Sequence, residues 1–209
     1  MIKRIIFDLD DTLIPWTKEY YMNFVELVKN HNISLDLQQL VHIADSIDEY
    51  ENNSQNYNDE NFKKLVSELS GITITDEMLL LIKEWVGDCV PVSKDEKLIK
   101  TLEYLASKYE LVVLTNFFYE SQYKRLEKYE IAKYFKEVYG ADLHSKPNKE
   151  AYFMAANGTK FEECLMIGDN KKLDYETPKK LGMDAIWLTK QEESNEKTIK
   201  NIYELKDIL

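Results

Sequence analysis

The chain opens on a short apolar run, Ile2–Phe7, which reads as a strand buried on both faces. Asp8-Leu9-Asp10-Asp11-Thr12 follows at once. Three acids so close together cannot continue a buried strand, so the chain emerges there into a polar place. From Trp16 to Asp88 the pattern becomes helical. Tyr20-Tyr21, Phe24, Leu27 and Val28 recur at helical spacing, as do Leu37, Leu40, Val41, Ala44 and Ile47. Phe62, Leu65, Val66 and Leu69 make a third apolar stripe, and Met78, Leu79, Ile82, Trp85 and Val86 a fourth. Asp36, Asp59 and Asp76 stand where N-caps are expected, Gly71 reads as a helix stop, and the Asn-rich stretch Asn52–Asn58 reads as a loop.

After Pro91, strand and helix patterns alternate. Leu98–Ala106, Ser121–Tyr129, Lys149–Ala156, Asp174–Leu181 and Thr198–Leu205 read as helices. Leu111–Leu114, Glu137–Tyr139, Cys164–Ile167 and Ala185–Leu188 read as strands. This rhythm predicts an α/β fold with a doubly wound, Rossmann-like parallel sheet. The core is expected over 1–15 and 89–209, with a four-helix insert over 16–88. Ligands of such sheets bind beyond the carboxyl ends of the strands. Asp8 and Asp10, Thr115 and Asn116, and Asp169 each fall immediately after a predicted strand, so they are expected to meet at one edge.

Composition narrows the function. Hydrophobic residues at 44% and charged residues at 31% describe an ordinary globular chain. The net charge of −11 would repel a phosphate polymer, which argues against nucleic-acid binding. No stretch approaches the apolar length of a membrane span, and the first apolar run is too short for a signal peptide. Cys89 and Cys164 show no metal-ligand spacing and read as buried free thiols of a cytoplasmic protein. His31, His42 and His144 are scattered and read as structural or surface residues, with His144, close to Lys146, also open to lining the site.

The strand-tip residues carry the chemistry. Asp8, Asp10, Asp169 and Asp174 would raise one another's pKa, and a divalent cation relieves such repulsion. All-oxygen ligation suits Mg²⁺ rather than zinc. Phosphoryl transfer needs an in-line nucleophile, charge neutralisation and a proton donor for the leaving group. A carboxylate can be the nucleophile, and a second carboxyl two residues on can be the acid and then the base. Lys146 is the cation expected beside them.

Asp8-Leu9-Asp10-Asp11-Thr12, Thr115-Asn116, Lys146-Pro147 and Gly168-Asp169-Asn170-Lys171-Lys172-Leu173-Asp174 resemble, in order and spacing, the four motifs of the haloacid dehalogenase-like hydrolases. The resemblance spans nearly the whole chain. It implies that Asp8 is the nucleophile and a magnesium ligand. Asp10 is then the acid/base, with its carbonyl on the metal, and Asp169 the third protein ligand. Asp174 would stand behind the metal or hold its water, Thr115 and the Asn116 amide would bind phosphate, Lys146 would pair with Asp8 and the phosphate, and Thr12 would orient Asp10. The insert occupies the place of the family's helical C1 cap. An acid at Asp10 matches the family's phosphatases and phosphomutases and departs from its dehalogenases. Thr177-Pro178, where the family often has Gly-Ala, is a small departure that proline tolerates in a first helical turn.

Substrate expectations rest on the insert. Between Trp16 and Val90 there are 5 lysines against 14 acids, and neither arginine of the chain, Arg4 or Arg125, lies there. A mutase must hold a second phosphate, for which arginine forks are best suited. Hydrolysis of a small phosphomonoester, a nucleoside monophosphate or a sugar phosphate, is therefore expected, by a monomer or weak homodimer. A phosphomutase is the alternative, and a non-catalytic phosphate-ligand module ranks last because no catalytic position is lost. Phe117, Phe118 and Tyr119, and Trp16 at the hinge, are read either as packing between insert and core or as a stacking surface for a substrate ring, and the aromatic run tilts the expectation slightly toward a nucleoside monophosphate.

Overall fold

The computed structural model describes residues 1–31, 33–53, 57–191 and 197–209. Six strands form one parallel sheet: β1 (Arg4–Phe7), β2 (Glu110–Leu114), β3 (Glu137–Tyr139), β4 (Cys164–Gly168), β5 (Asp184–Leu188) and β6 (Thr198–Ile199). Their order is β3-β2-β1-β4-β5-β6, so β1 sits inside the sheet and the strand order reverses beside it. Every residue of β1 is buried, as its unbroken apolar run requires.

Alternation of side chains builds two cores. Ile5, Phe7, Leu111, Val113, Leu165 and Ile167 face one way. They meet Leu98, Leu102 and Leu105 of α5 (Glu96–Ala106), Leu126 of α6 (Tyr119–Lys128) and Leu205 of α9 (Leu205–Ile208). Ile6, Val112, Leu114 and Met166 face the other way, against Ala151, Tyr152 and Ala155 of α7 (Lys149–Ala156) and Leu181 of α8 (Thr177–Leu181).

Between β1 and α5 lie α1 (Glu19–Asn30), α2 (Leu37–Asn53), α3 (Asp59–Ser70) and α4 (Asp76–Asp88). They share a third apolar cluster, in which Phe24 stacks on Trp85 at 4.4 Å. Phe117 and Phe118 from the sheet edge join it. Phe62 lies 5.9 Å from Phe117 and 5.3 Å from Phe118, and Tyr57 packs edge-on against Phe118 at 5.1 Å. These two phenylalanines therefore pack insert on core, whereas Tyr119 is exposed and stacks on Tyr123.

Several sequence expectations shift. Asp36 does cap α2, exchanging bonds with Gln39. Asn58 and Thr75, not Asp59 and Asp76, cap α3 and α4; the two acids occupy the first helical turn, where the helix dipole still favours them. Gly71 ends α3 in the left-handed conformation. Within Asn52–Asn58 the first two residues finish α2, and 54–56 lie outside the described residues. Thr198–Leu205 is not one helix. Thr198 and Ile199 are β-branched and pair with Trp187 and Leu188, and helical turns begin only after Asn201, whose side chain closes a capping box with Glu204. Both cysteines are free and buried. No helix among the described residues is long and apolar enough to cross a membrane.

Phe62 is fully buried at the join between insert and core. Phe62→Ala is expected to lower the unfolding free energy by about 3–5 kcal/mol. Urea denaturation measures this, and a loss below ~1 kcal/mol would show that the aromatic join contributes little.

Candidate active site

Parallel register fixes which residues meet. Phe7 pairs with Val113 on one side and Ile167 on the other, so the residues just past β1, β2 and β4 emerge together. Asp8 still donates its amide to the Ile167 carbonyl at 2.9 Å, and Thr115 donates to Tyr139 at 3.0 Å. A cavity of about 210 Å³ at this edge has Asp8, Asp10, Thr115, Asn116, Lys146, Asp169 and Asp174 in its walls.

Lys146 lies at the centre. It is 2% exposed, and its ammonium sits 2.7 Å from Asp8 Oδ1 and 2.6 Å from Asp174 Oδ1. Its main chain is held as well, because Lys146 N donates to Asn116 Oδ1 at 2.9 Å and Asn116 Nδ2 donates back to the Lys146 carbonyl at 3.2 Å. Burial alone would lower the lysine's pKa, but the charges of Asp174 and Asp8 outweigh it and hold the ammonium protonated. Burial pushes the Asp8 carboxyl well above its ordinary range; Lys146 opposes this, while Asp174 and Asp169 add to it.

Asp174 does not cap a helix, since Asn170 accepts from the Lys172 and Leu173 amides in that role. The turn from Lys171 to Glu176 is a wide π-type turn that carries Asp174 inward, fully buried, where its Oδ2 accepts from Asn170 N at 3.1 Å. Asp8, Asp169 and Asp174 each bring a carboxylate oxygen within 4.8 Å of the others. One lysine faces three carboxyl groups, so full ionisation would leave two negative charges uncompensated. This all-oxygen donor set and its charge fit a hard divalent cation. The protein crowding Asp169 on one side and the charge of Asp174 raise its pKa to about 6.

Asp10 stands apart from that group. Its carboxylate is held by Arg125, at 2.5 Å, and by Gln122, at 2.9 Å. Neither partner stands out in the sequence: both read as polar positions of an amphipathic helix, yet Arg125 is fully buried and Gln122 nearly so. Thr12 is turned back by the helical turn that Leu13 and Ile14 make on the Leu9 carbonyl. Its hydroxyl lies 3.4 Å from Asp8 and 3.5 Å from Asp169, not on Asp10. Thr115 is buried and donates to the Asn116 carbonyl. Phe117 takes a left-handed φ of 75°, a strained choice for a bulky residue, at the bend between β2 and α6.

A second cavity of about 150 Å³ adjoins the first through Asp10, Asp48 and Glu51, and is walled by Trp16, Tyr21, Trp85 and Phe117. Trp16 thus packs on Trp85, edge-on at 5.7 Å, and lines the cavity as well. Burial, with the charges of Asp10 and Asp48, raises Glu51 well above the carboxylate range. Protein packed against one side of the Asp48 carboxyl and the charge of Asp45 raise its pKa to about 6, although the residue as a whole is exposed. His31, His42 and His144 are exposed.

Fold and site together define a class, the Rossmann-like enzymes that work with carboxylates at strand tips. The chain belongs to the haloacid dehalogenase-like hydrolases, whose family model matches residues 2–182. Curated relatives bear phosphatase names. The glyceraldehyde 3-phosphate phosphatase of Methanocaldococcus jannaschii is 26% identical over 225 residues, covering 100% of this chain and 97% of its own length. That of Pyrococcus abyssi is 26% identical over 195 residues, covering 90% and 81%. The HAD-hydrolase YfnB of Bacillus subtilis, solved bound to magnesium, shares the fold with a TM-score of 0.73 at 20% identity, over 100% of this chain and 98% of that one.

A Cβ on Gly168 would lie 2.3 Å from Asp174 Oδ2, so Gly168→Ala must push Asp174 off Lys146. The expected cost is about 3–5 kcal/mol, that of breaking a buried ion pair, and an unchanged melting temperature would contradict it. Asp48 has a folded pKa above its ordinary 3.8. Its penalty is therefore absent at low pH, grows as pH rises toward 6, and is full above that. In metal-free thermal melts, Asp48→Asn should stabilise at pH 8 by less than about 1 kcal/mol, because the residue is solvent-exposed, and should be neutral below pH ~4. A gain confined to low pH would reverse the assignment.

Proposed function

We propose that the chain is a magnesium-dependent phosphatase that hydrolyses a small phosphomonoester through a phosphate ester on Asp8. The observation that carries this reading is the Asp8 carboxylate held 2.7 Å from a buried lysine and grouped with Asp169 and Asp174 in a set able to take a cation. Asp8 is the nucleophile. Lys146 orients it and meets the charge of the transferring phosphate, with Thr115 and the Asn116 main-chain amide as further donors. Asp10 gives a proton to the leaving oxygen and later takes one from water. Asp8, Asp169 and the Asp10 carbonyl would hold Mg²⁺, with Asp174 fixed behind them and Thr12 bridging Asp8 and Asp169. The cation would neutralise the phosphate oxygens during transfer. The insert over 16–88 serves as a cap on the core formed by 1–15 and 89–209.

The cap cavity supports a sugar phosphate over a nucleotide. At about 150 Å³ it falls below the roughly 300 Å³ at which drug-sized pockets begin. Phe118 does not line this cavity, and Phe117, which does, is 2% exposed and packs edge-on against Phe62 and Phe118, so neither offers an open stacking face. Among the described residues lining this cavity there is no lysine or arginine, while Asp48 and Glu51 are present. An uncharged, hydroxyl-bearing leaving group fits such walls, and a second phosphate does not, which favours hydrolysis over mutase chemistry. The names of the two archaeal relatives point the same way. Buried thiols fit a cytoplasmic setting, with the chain acting alone or as a weak homodimer on a soluble metabolite.

A phosphomonoester panel read by phosphate release, with and without EDTA, tests the reading. Glyceraldehyde 3-phosphate and other short sugar phosphates are expected to exceed nucleoside monophosphates. EDTA is expected to abolish turnover and Mg²⁺ to restore it. Asp8→Asn should lower kcat by at least ~10⁴-fold while preserving the circular dichroism spectrum. Wild-type-like turnover of p-nitrophenyl phosphate by that variant would reject Asp8 as nucleophile.

A further inference from the structure

Gln122 and Arg125 lie one turn apart on α6 and share a face. Burying a guanidinium is costly unless its charge is met, and the usual strong solution is a two-pronged pair with one carboxylate. Arg125 is fully buried yet does not make that pair. Its Nη1 takes Asp10 Oδ1 at 2.5 Å and Gln122 Oε1 at 2.8 Å, and its Nε donates to the Cys89 carbonyl at 2.8 Å. Nη2 has no acceptor among the described residues, and the Trp16 ring lies 5.3 Å from the guanidinium carbon. The second oxygen of Asp10 goes instead to Gln122 Nε2 at 2.9 Å. The same Nε2 also lies 3.1 Å from Thr115 Oγ1 and 2.9 Å from the Asn116 carbonyl, so its two hydrogens are shared among three acceptors, two of them fixed at the end of β2. Both oxygens of Asp10 are thus gripped by separate side chains, and each of those is fixed by groups other than the acid.

We infer that Gln122 and Arg125 are positioning residues that aim the Asp10 carboxyl at the leaving-group oxygen and keep it out of the Asp8–Asp169–Asp174 group. Sharing one carboxylate between two anchored donors gives up the tighter fork and fixes the acid's orientation relative to Thr115 and Asn116. This assignment rests on the phosphatase reading. In that reaction Asp8 attacks phosphorus as the phosphorus–oxygen bond to the leaving group breaks, and the leaving oxygen takes the Asp10 proton. Water then attacks phosphorus, gives its proton to Asp10, and releases Asp8 as a carboxylate with free phosphate.

Leaving-group dependence separates aiming from mere scaffolding. A nitrophenolate leaves without help from an acid, whereas a sugar alkoxide needs the proton. Arg125→Lys and Gln122→Ala are expected to lower kcat on the best sugar phosphate of the panel by about 10–100-fold, within the range that acid–base positioning commands. On p-nitrophenyl phosphate the loss should stay within about threefold, with little change in KM on either substrate. Asp10→Asn serves as the reference and should show the same asymmetry more strongly. Equal losses on both substrates, or none on either, in a variant that melts cooperatively would overturn the inference. If Arg125→Lys does not fold, Gln122→Ala decides alone. Asymmetry absent from Asp10→Asn as well would place the failure in the acid role of Asp10, not in its positioning.

Discussion

Everything at the sheet edge depends on one buried ammonium between two carboxylates. Lys146 meets Asp8 on one side and Asp174 on the other, with almost no water to share the charge. A buried lysine without partners would shed its proton, and buried carboxylates without a cation would keep theirs. Together they hold opposite charges in a low-dielectric pocket, where electrostatic interactions act at short range and with little screening. The fold serves this contact directly. Parallel register brings Asp8 to the edge, the wide turn after Asn170 brings Asp174 inward, and Asn116 grips the lysine's main chain from a third strand end.

The same geometry divides the acids by task. Asp8, Asp169 and Asp174 crowd together and outnumber the one lysine that faces them, a donor set that suits a divalent cation. Asp10, two residues from Asp8, is drawn aside by α6 and belongs to a different network. Two carboxylates on one turn are therefore held by different partners, Asp8 by a lysine on the loop before α7 and Asp10 by α6. Helices α1, α2 and α4 add aromatic rings and two further acids, Asp48 and Glu51, to the walls.

Much of this was legible in the residues. An unbroken apolar run ending in polar residues reads as a buried strand that stops at a polar edge, and three such runs predict where Asp8, Thr115 and Asp169 lie. What escaped the sequence are features decided by tertiary contact. Arg125 looks like any polar position of an amphipathic helix, and only the fold shows that its face turns toward Asp10. Asp174 was open to reading as a cap, since a wide turn cannot be told from a helix start by periodicity. Thr198–Ile199 follows helical spacing in the chain, yet the unpaired edge of β5 captures it as a strand. Asn58 and Thr75 took caps expected one residue later, within the ordinary uncertainty of helix ends.

The most direct test of the central claim looks for the covalent intermediate itself. Acid quenching during turnover of a phosphate-labelled substrate, followed by peptide mapping, should find the label on the peptide that carries Asp8, as an acyl phosphate cleaved by hydroxylamine. Label on a different residue, or steady turnover with no covalently bound phosphate at any quench time, would contradict the account.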